Sequence, residues 1–333
     1  MIRLLSKLVL FASVLAIGLG GGLYYLVSQP KAMPGEAEQV VVAQGSGVKS
    51  VALVLSKAQV IEEPHLFVWW VRLTGQSGKI KAGNYVFNGS LSMRDVLRLL
   101  VEGDVTQSSL RFTEGWNLRQ VRAALAENTA LKHDTAGMTT DQLAASLGID
   151  GPTPEGWLFP DTYHFSSGLS ELQILQRAHQ QMEQQLQRAW EERAPGLPFA
   201  SPYQALIMAS IVEKETGLAS ERPMIAGVFI NRLRIGMRLQ TDPTVIYGLG
   251  DQFDGNLTRV HLQTDTPYNT YTRAGLPPTP IAMPGNDSIY AVLHPADTRA
   301  LYFVARGDGG HVFSASLAAH NAAVLRYQIK RKH

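Results

Sequence analysis

An uncharged stretch near the beginning of the chain constrains what this sequence can fold into. Residues 8–27 form a run of twenty without a charged side chain. As a helix, a run of that length extends about 30 Å, the thickness of the hydrocarbon core of a bilayer. Arg3 and Lys7 precede the run, and basic flanking residues favour a cytoplasmic position. The run therefore predicts a single-pass anchor with a cytoplasmic N-terminus and a translocated body.

Two other interpretations of this run fit less well. A cleaved signal peptide has a shorter apolar core and a small-residue cleavage site. A buried globular helix is disfavoured by Gly20, Gly21 and Gly22, because each glycine costs about 1 kcal/mol in a water-soluble helix. We therefore expect a tail at residues 1–7, an anchor at residues 8–27 and a tether at residues 28–39.

The composition of the 333 residues excludes several kinds of chemistry. The chain has no cysteine, which removes disulfide scaffolds, thiolate zinc sites, iron–sulfur clusters and cysteine nucleophiles. Its formal charge of +2 is too small to indicate nucleic-acid binding. The sequence also lacks the H-E-x-x-H, Walker A and G-x-S-x-G motifs. We therefore predict neither a metal nor a cofactor.

Residues 40–103 have the pattern of a small α+β module. The pattern predicts a strand at 40–42, helices at 48–57 and 64–73, a strand at 81–87 and a helix after Ser92. The order strand–helix–helix–strand resembles a LysM-like module, a fold associated with glycans that contain N-acetylglucosamine. A small α+β spacer is the alternative, and the pattern alone does not separate the two.

Residues 104–329 predict a larger and mainly helical domain, followed by a basic tail at 330–333. Ser201 and Pro202 are typical of a helix start, and the residues that follow are apolar nearly all round, which predicts a buried helix. Residues 301–305 and 311–314, joined by a glycine-rich turn, predict a β-hairpin. The predicted fold class is α+β, with a single transmembrane helix, a LysM-like module and a mainly helical domain with β-hairpins.

Glu213 and Glu215 lie at the end of the predicted buried helix. The helix dipole and apolar surroundings both oppose ionisation there, so one of these acids is a candidate general acid. A solvated Glu-Lys-Glu run is the alternative. Positions two apart lie about 200° apart around a helix, so both cannot point into one cleft. This spacing argues against the two cooperating carboxylates of an ordinary glycosidase.

Several long motifs, in this order, resemble the YceG-like family of endolytic murein transglycosylases. The resemblance covers essentially the whole chain, and the stretches that carry it are 209–216, 220–222, 228–233, 240–247, 267–271, 275–278 and 302–304. It implies that Glu215 is the single catalytic acid. The implied substrate is the glycan strand of peptidoglycan, cut between N-acetylmuramic acid and N-acetylglucosamine to leave a 1,6-anhydro end.

The resemblance also implies how such a chain works in the cell. The body is expected in the periplasm, anchored in the cell inner membrane, with peptidoglycan synthases (penicillin-binding proteins) as partners. The residues that we expect to hold the sugar are Asp242, Tyr247, Asn269, Tyr271, Glu155 and His311. Each of them has bracing of a loop as an alternative role. Two alternative functions remain open at this point, a non-catalytic glycan-binding scaffold and a hydrolase that uses the same cleft.

Overall fold

The protein is described by a computed structural model that covers residue 18 and residues 20–103 and 107–329. The described chain divides into two compact units. The first unit takes in the described residues up to Ser109 together with residues 130–132 and 164–169. The second unit takes in residues 110–129 and 133–163 and the described residues from Ser170 onwards. The architecture is a mixed α+β one, as predicted.

The first unit is built on an antiparallel pair of strands. β1 (Lys31–Val42) pairs with β2 (Gly83–Leu91), and the register shifts between Ala32 and Ala37. The helices are α1 (Val48–Lys57), α2 (Pro64–Leu73) and α3 (Met93–Glu102). The predicted order of strand, two helices and strand is confirmed, while the likeness to a LysM fold stays a prediction. Apolar side chains from all five elements bury a common core that includes Leu55, Phe67, Phe87 and Leu100.

The start of β1 differs from the expectation for this part of the chain. The strand begins at Lys31, inside the segment 28–39 that suggested a tether. Pairing explains the difference, because Lys31 and Ala32 lie opposite Leu91 and Ser90 of β2. Prolines and glycine in that segment obscured the strand in the sequence.

The predicted anchor lies for the most part outside the described residues, and so do the predicted tails 1–7 and 330–333. Residues 20–28, at the end of the predicted anchor, form a helix. Within the described ranges 20–103 and 107–329 and residue 18, no helix is both long enough and apolar enough to cross a membrane.

The second unit is mainly helical. Its helices are α4 (Leu118–Glu127), α5 (Thr140–Leu147), α6 (Glu171–Glu191), α7 (Pro202–Glu215), α8 (Arg222–Arg234), α9 (Asp242–Leu249), α10 (Arg259–Gln263), α11 (Asn286–Leu293) and α12 (Leu317–Val324). Short 3-10 turns lie at Ala219–Glu221 and Gly250–Gln252, and a π-helical turn lies at Leu325–Ile329. Buried apolar side chains of α6, α7, α8 and α11 form one hydrophobic core.

The remaining strands are short. β3 (Gln107–Arg111) pairs with β5 (Thr162–Ser166), and β4 (Leu131–Lys132) pairs with β6 (Leu169–Ser170). β7 (Tyr302–Ala305) and β8 (His311–Ser314) pair antiparallel. This last pair is the predicted hairpin, and its register places Ala305 opposite His311.

Candidate active site

α7 positions the candidate acid at the end of a buried helix. The Ser201 hydroxyl accepts a hydrogen bond from the backbone N–H of Gln204, and Pro202 occupies the first turn. Every residue from Ala205 to Val212 is buried, as the apolar pattern predicted. The helix ends at Glu215, because the backbone of Thr216 is extended. A core helix therefore carries Glu215 as its last residue.

Glu213 and Glu215 have different environments, as their spacing on the helix requires. The Glu213 carboxylate accepts hydrogen bonds from the guanidinium of Arg222 (3.1 Å) and from the backbone N–H of Gly285 (2.9 Å). These side chains are almost fully enclosed, at 5% exposure for Glu213 and 8% for Arg222. Glu215 instead accepts a hydrogen bond from the Thr241 hydroxyl. Glu213 thus belongs to a buried ion pair, and Glu215 is free to act on a ligand.

Glu215 lines an open cleft of about 450 Å³. The functional groups around it come from α7, α8, the start of α9, the loop before α11, the β7–β8 hairpin, α12 and the π-helical turn. The polar side chains that line the cleft include Glu215, Arg232, Gln240, Thr241, Asp242, Tyr271 and His311. The cleft therefore brings Glu215, Asp242, Tyr271 and His311, four of the residues expected at the site, to one surface.

Burial raises the pKa of the Glu215 carboxyl above its ordinary value, and the negative charge of Asp242 raises it further. The Thr241 hydroxyl, His311 and Arg232 act in the opposite direction, and burial outweighs them. A carboxyl in such surroundings keeps its proton closer to neutral pH than an exposed one does. The protonated carboxyl is the form in which Glu215 can donate a proton.

The backbone at Gln240 directs Thr241 towards the acid. Gln240 has a φ of +49°, a left-handed conformation that non-glycine residues rarely adopt. Its N–H donates to the carbonyl of Thr270 (3.1 Å), and the N–H of Thr241 donates to the Thr270 hydroxyl (3.1 Å). These two bonds hold the turn that brings the buried Thr241 hydroxyl to Glu215. Strain of about 1–3 kcal/mol at such a position is typical of functional sites.

Tyr271 and Asp242 form a hydrogen-bonded pair in the cleft. The Tyr271 hydroxyl donates to a carboxylate oxygen of Asp242 at 2.5 Å. Burial raises the pKa of the Tyr271 hydroxyl, and the bond to Asp242 adds to this effect. Tyr271 is therefore a neutral donor that fixes the position of the Asp242 carboxylate.

His311 is held by a carboxylate on the neighbouring 3-10 turn. Nδ1 of His311 lies 2.7 Å from a carboxylate oxygen of Glu221, and the backbone N–H of His311 donates to the other oxygen at 2.8 Å. The ring also packs edge-on against Phe303, with centroids 5.4 Å apart. Glu221 thus fixes the orientation of the His311 ring at the edge of the cleft.

Asn269 lies away from the cleft surface as a buried brace. Its amide nitrogen donates to the carbonyls of His261 (3.2 Å), Leu262 (3.1 Å) and Thr264 (2.7 Å). Its carbonyl oxygen accepts from the backbone N–H of Tyr271 at 2.8 Å. These bonds make Asn269 a brace for the loop that carries Tyr271, and direct contact of Asn269 with a sugar stays a prediction.

Glu155 and Tyr247 form a second buried group. The Glu155 carboxylate accepts from the backbone N–H of Leu118 (3.1 Å), at the start of α4, and from the Tyr247 hydroxyl (3.0 Å). Burial raises the pKa of Glu155 to about 7. Gly156 follows with a φ of +80°, and a Cβ there would lie 2.4 Å from the Pro280 side chain. These contacts hold loops together, and direct contact of Glu155 or Tyr247 with a sugar stays a prediction.

Arg232 and Thr241 are site residues that the sequence analysis did not single out. Arg232 is buried, and its guanidinium donates to the carbonyls of Leu301 (2.7 Å) and Leu239 (2.5 Å). Both residues lie inside stretches that resemble the family, 228–233 and 240–247. Their position in these stretches could have identified them as site residues. Within the described part of the chain, no group of three or more His, Asp or Glu side chains is arranged to hold a metal ion.

Comparisons with known proteins identify relatives of this chain. The model of the YceG-like family matches residues 40–326. An endolytic murein transglycosylase of Bacillus subtilis (strain 168) is 34% identical over 304 residues, which cover 86% of this chain and 83% of that protein. A protein of the same name from Streptococcus pneumoniae (strain D39 / NCTC 7466) is 26% identical, and the match covers 92% of this chain and 61% of that relative.

A solved structure supports the same relationship. The crystal structure of a YceG-like protein from Listeria monocytogenes has a TM-score of 0.54 and 29% identity to this chain. The match covers 86% of this chain and 98% of that chain. Because the family model spans most of the sequence, including every residue of the cleft discussed above, the chain belongs to the YceG-like family.

Proposed function

We propose that this protein is an endolytic murein transglycosylase. The observation that carries the proposal is the position of Glu215, a carboxyl with a raised pKa that ends a buried helix and lines an open cleft. Membership of the YceG-like family and the names of its relatives support the same reaction. The substrate is the peptidoglycan strand, cut at the β-1,4 bond between N-acetylmuramic acid and N-acetylglucosamine.

The reaction uses one carboxyl group twice. Glu215 donates its proton to the glycosidic oxygen as the bond from that oxygen to C1 of the muramic acid breaks. The resulting carboxylate then takes the proton of the C6 hydroxyl, whose oxygen attacks C1 and closes the 1,6-anhydro ring. No water is consumed, and the nucleophile is already held on the sugar, so proximity supplies much of the rate. The Thr241 hydroxyl stabilises the carboxylate between the two proton transfers.

The two alternative functions differ from this proposal in their products. A glycan-binding scaffold yields none, and a hydrolase yields reducing ends that contain one more water than anhydro ends. Asp242 is the carboxylate that a hydrolase would use to activate water, and Tyr271 holds it by a hydrogen bond. In the transglycosylase, Asp242 binds the sugar together with Tyr271 and His311.

Mass analysis of digested glycan strands tests the reaction and the acid together. Purified wild-type protein, Glu215→Gln and the control Glu183→Gln are incubated with strands. Glu183 is a surface carboxylate at 58% exposure. We expect anhydro ends with wild type and Glu183→Gln, and a loss of at least about a hundredfold with Glu215→Gln, the usual share of a general acid. Reducing ends would support the hydrolase, and full activity of Glu215→Gln would remove Glu215 from the mechanism.

We further propose that residues 8–27 anchor the protein in the cell inner membrane, with the body in the periplasm. The uncharged run and the preceding Arg3 and Lys7 support this location. Because β1 begins at Lys31, little chain separates the anchor from the first unit, which favours strands that are still close to the membrane. Penicillin-binding peptidoglycan synthases, which release such strands, are the partners that we propose. Digestion of the body by protease added to the cytoplasmic face of inverted vesicles would contradict the orientation.

A further inference from the structure

The helix of residues 20–28 packs against other elements of the first unit. The rings of Tyr24 and Trp70 meet edge to face, with centroids 6.5 Å apart. The guanidinium of Arg94, on α3, donates to the Tyr24 hydroxyl (2.7 Å) and lies 5.6 Å from the centroid of that ring. Val27 is fully buried. The end of the predicted anchor is therefore in contact with α2 and α3.

α2 exposes two large apolar side chains beside this contact. Trp69 is 69% exposed and Leu73 is 68% exposed. They lie four positions apart, so they share one face of the helix, and Trp70 lies about 100° further round. The exposed face therefore adjoins the side of α2 on which Tyr24 packs. Tyr25 and Leu26, next to Tyr24 in the chain, are also exposed, at 65% and 58%.

Basic residues lie on the same two helices, and Arg94 and Arg98 line one pocket with Trp70. Arg72 lies between Trp69 and Leu73 in the sequence, and Arg94 and Arg98 lie on α3. The Arg98 side chain is 59% exposed, and its ion pair with Asp95 (3.2 Å) lies within one turn of α3. Tryptophan and tyrosine are enriched where a protein meets lipid headgroups, and cationic side chains such as arginine are attracted to anionic lipids.

We propose that Trp69 and Leu73, together with Tyr24 and Tyr25, insert into the headgroup region of the membrane that holds the anchor. We call this set the interfacial patch. The inference rests on the proposed anchor in residues 8–27. If Tyr24 lies at headgroup depth, its contact with Trp70 brings the adjoining face of α2 to the same depth. The occupant of the patch is the lipid surface itself, and Arg72, Arg94 and Arg98 lie near its phosphates.

Spin labels on the full chain test the interfacial patch. Because the protein has no cysteine, Trp69→Cys, Leu73→Cys and the control Val260→Cys each give one labelled site. Val260 lies in the second unit and is 68% exposed, which matches Trp69. Each labelled chain is placed in nanodiscs of phosphatidylethanolamine and phosphatidylglycerol. Collision rates are then measured with oxygen, which enters lipid, and with a water-soluble nickel chelate. Flotation of the chain with vesicles of the same lipids at alkaline pH tests the anchor separately.

We expect the nickel collision rate to be severalfold lower at positions 69 and 73 than at position 260, with the oxygen rate higher. Equal nickel rates at all three positions in a chain that floats would overturn the interfacial patch and leave the anchor intact. A chain that fails to float would overturn both. Circular dichroism of the labelled proteins checks that they are folded, which we expect because all three side chains are exposed.

Discussion

The Thr241 hydroxyl donates a hydrogen bond to the carboxyl group of Glu215. Thr241 is itself almost completely buried, at 2% exposure, and its backbone N–H is bound by the hydroxyl of Thr270. A donor fixed in this way favours the ionised form of the acid and so lowers the pKa that burial raises. The two residues together set the pH range over which the site works.

Removal of this hydroxyl should shift the pH profile of the reaction. Thr241→Val keeps the shape of the side chain but removes the donor, so the pKa of Glu215 should rise further. Activity of a general acid falls as pH rises through its pKa, so the alkaline limb of kcat/KM should move to higher pH. Loss of the carboxylate's hydrogen bond should also lower kcat roughly tenfold. Thr241→Ser restores the donor and should restore the profile, and an unmoved alkaline limb in Thr241→Val would contradict this role.

The two glutamates of α7 should respond in opposite ways to the same substitution. Glu213→Gln removes one partner of the buried pair with Arg222 and should lower the free energy of unfolding by about 3 kcal/mol. The alkaline limb of the kcat/KM profile should stay at the same pH in Glu213→Gln, because Glu213 bonds to Arg222 and Gly285. Glu215→Gln should lose activity without losing stability at neutral pH. Denaturant unfolding and strand digestion of both variants check this, and equal stability of wild type and Glu213→Gln would show that the pair contributes little.

Glu155 should make stability depend on pH. Its pKa is about 7 in the folded protein against an ordinary 4.5, so the folded state keeps a proton that the unfolded state has lost. The stabilisation from this proton is complete below about pH 4.5 and declines as pH rises to about 7, by about 3 kcal/mol in all. Unfolding of wild type and Glu155→Gln at several pH values measures the difference. If the difference in the free energy of unfolding between the two proteins does not change with pH, burial leaves the pKa of the Glu155 carboxyl at its ordinary value.

Substitutions of Gln240 should distinguish the effect of its backbone conformation on stability from the effect of its side chain on substrate binding. Gln240→Gly relieves the left-handed backbone and should raise the free energy of unfolding by up to about 1 kcal/mol. It also removes an exposed side chain from the cleft, so KM for glycan strands should increase. Gln240→Asn is the matched control, because asparagine tolerates this conformation and keeps an amide. An unchanged KM in Gln240→Gly would limit Gln240 to a backbone role.

Local patterns predicted the elements of the site better than its contacts. The apolar positions 205–212 predicted a buried helix, and the spacing of Glu213 and Glu215 predicted two different environments for them; both are confirmed. Nothing near Glu213 in sequence indicates Gly285, which meets it only through the packing of α11 against α7. The left-handed turn at Gln240, on which Thr241 depends, was equally hidden, because glutamine seldom adopts it.

Membership of a shared motif did not distinguish residues of the cleft surface from residues behind it. The resemblance implied sugar binding for both Asn269 and Tyr271, which lie in the stretch 267–271. Tyr271 lines the cleft, whereas the amide nitrogen of Asn269 donates hydrogen bonds to three backbone carbonyls. A side chain that binds a ligand and one that satisfies a buried backbone have the same chemical groups, so sequence alone does not distinguish them.

The bonds of Asn269 join the 261–264 segment to the backbone of Tyr271, a residue that lines the cleft. Because the amide of Asn269 ties the 261–264 segment to Tyr271, this segment loses its conformational entropy when the protein folds. A sugar that arrives later meets a template that is already rigid, and none of its binding energy is needed to close a loop.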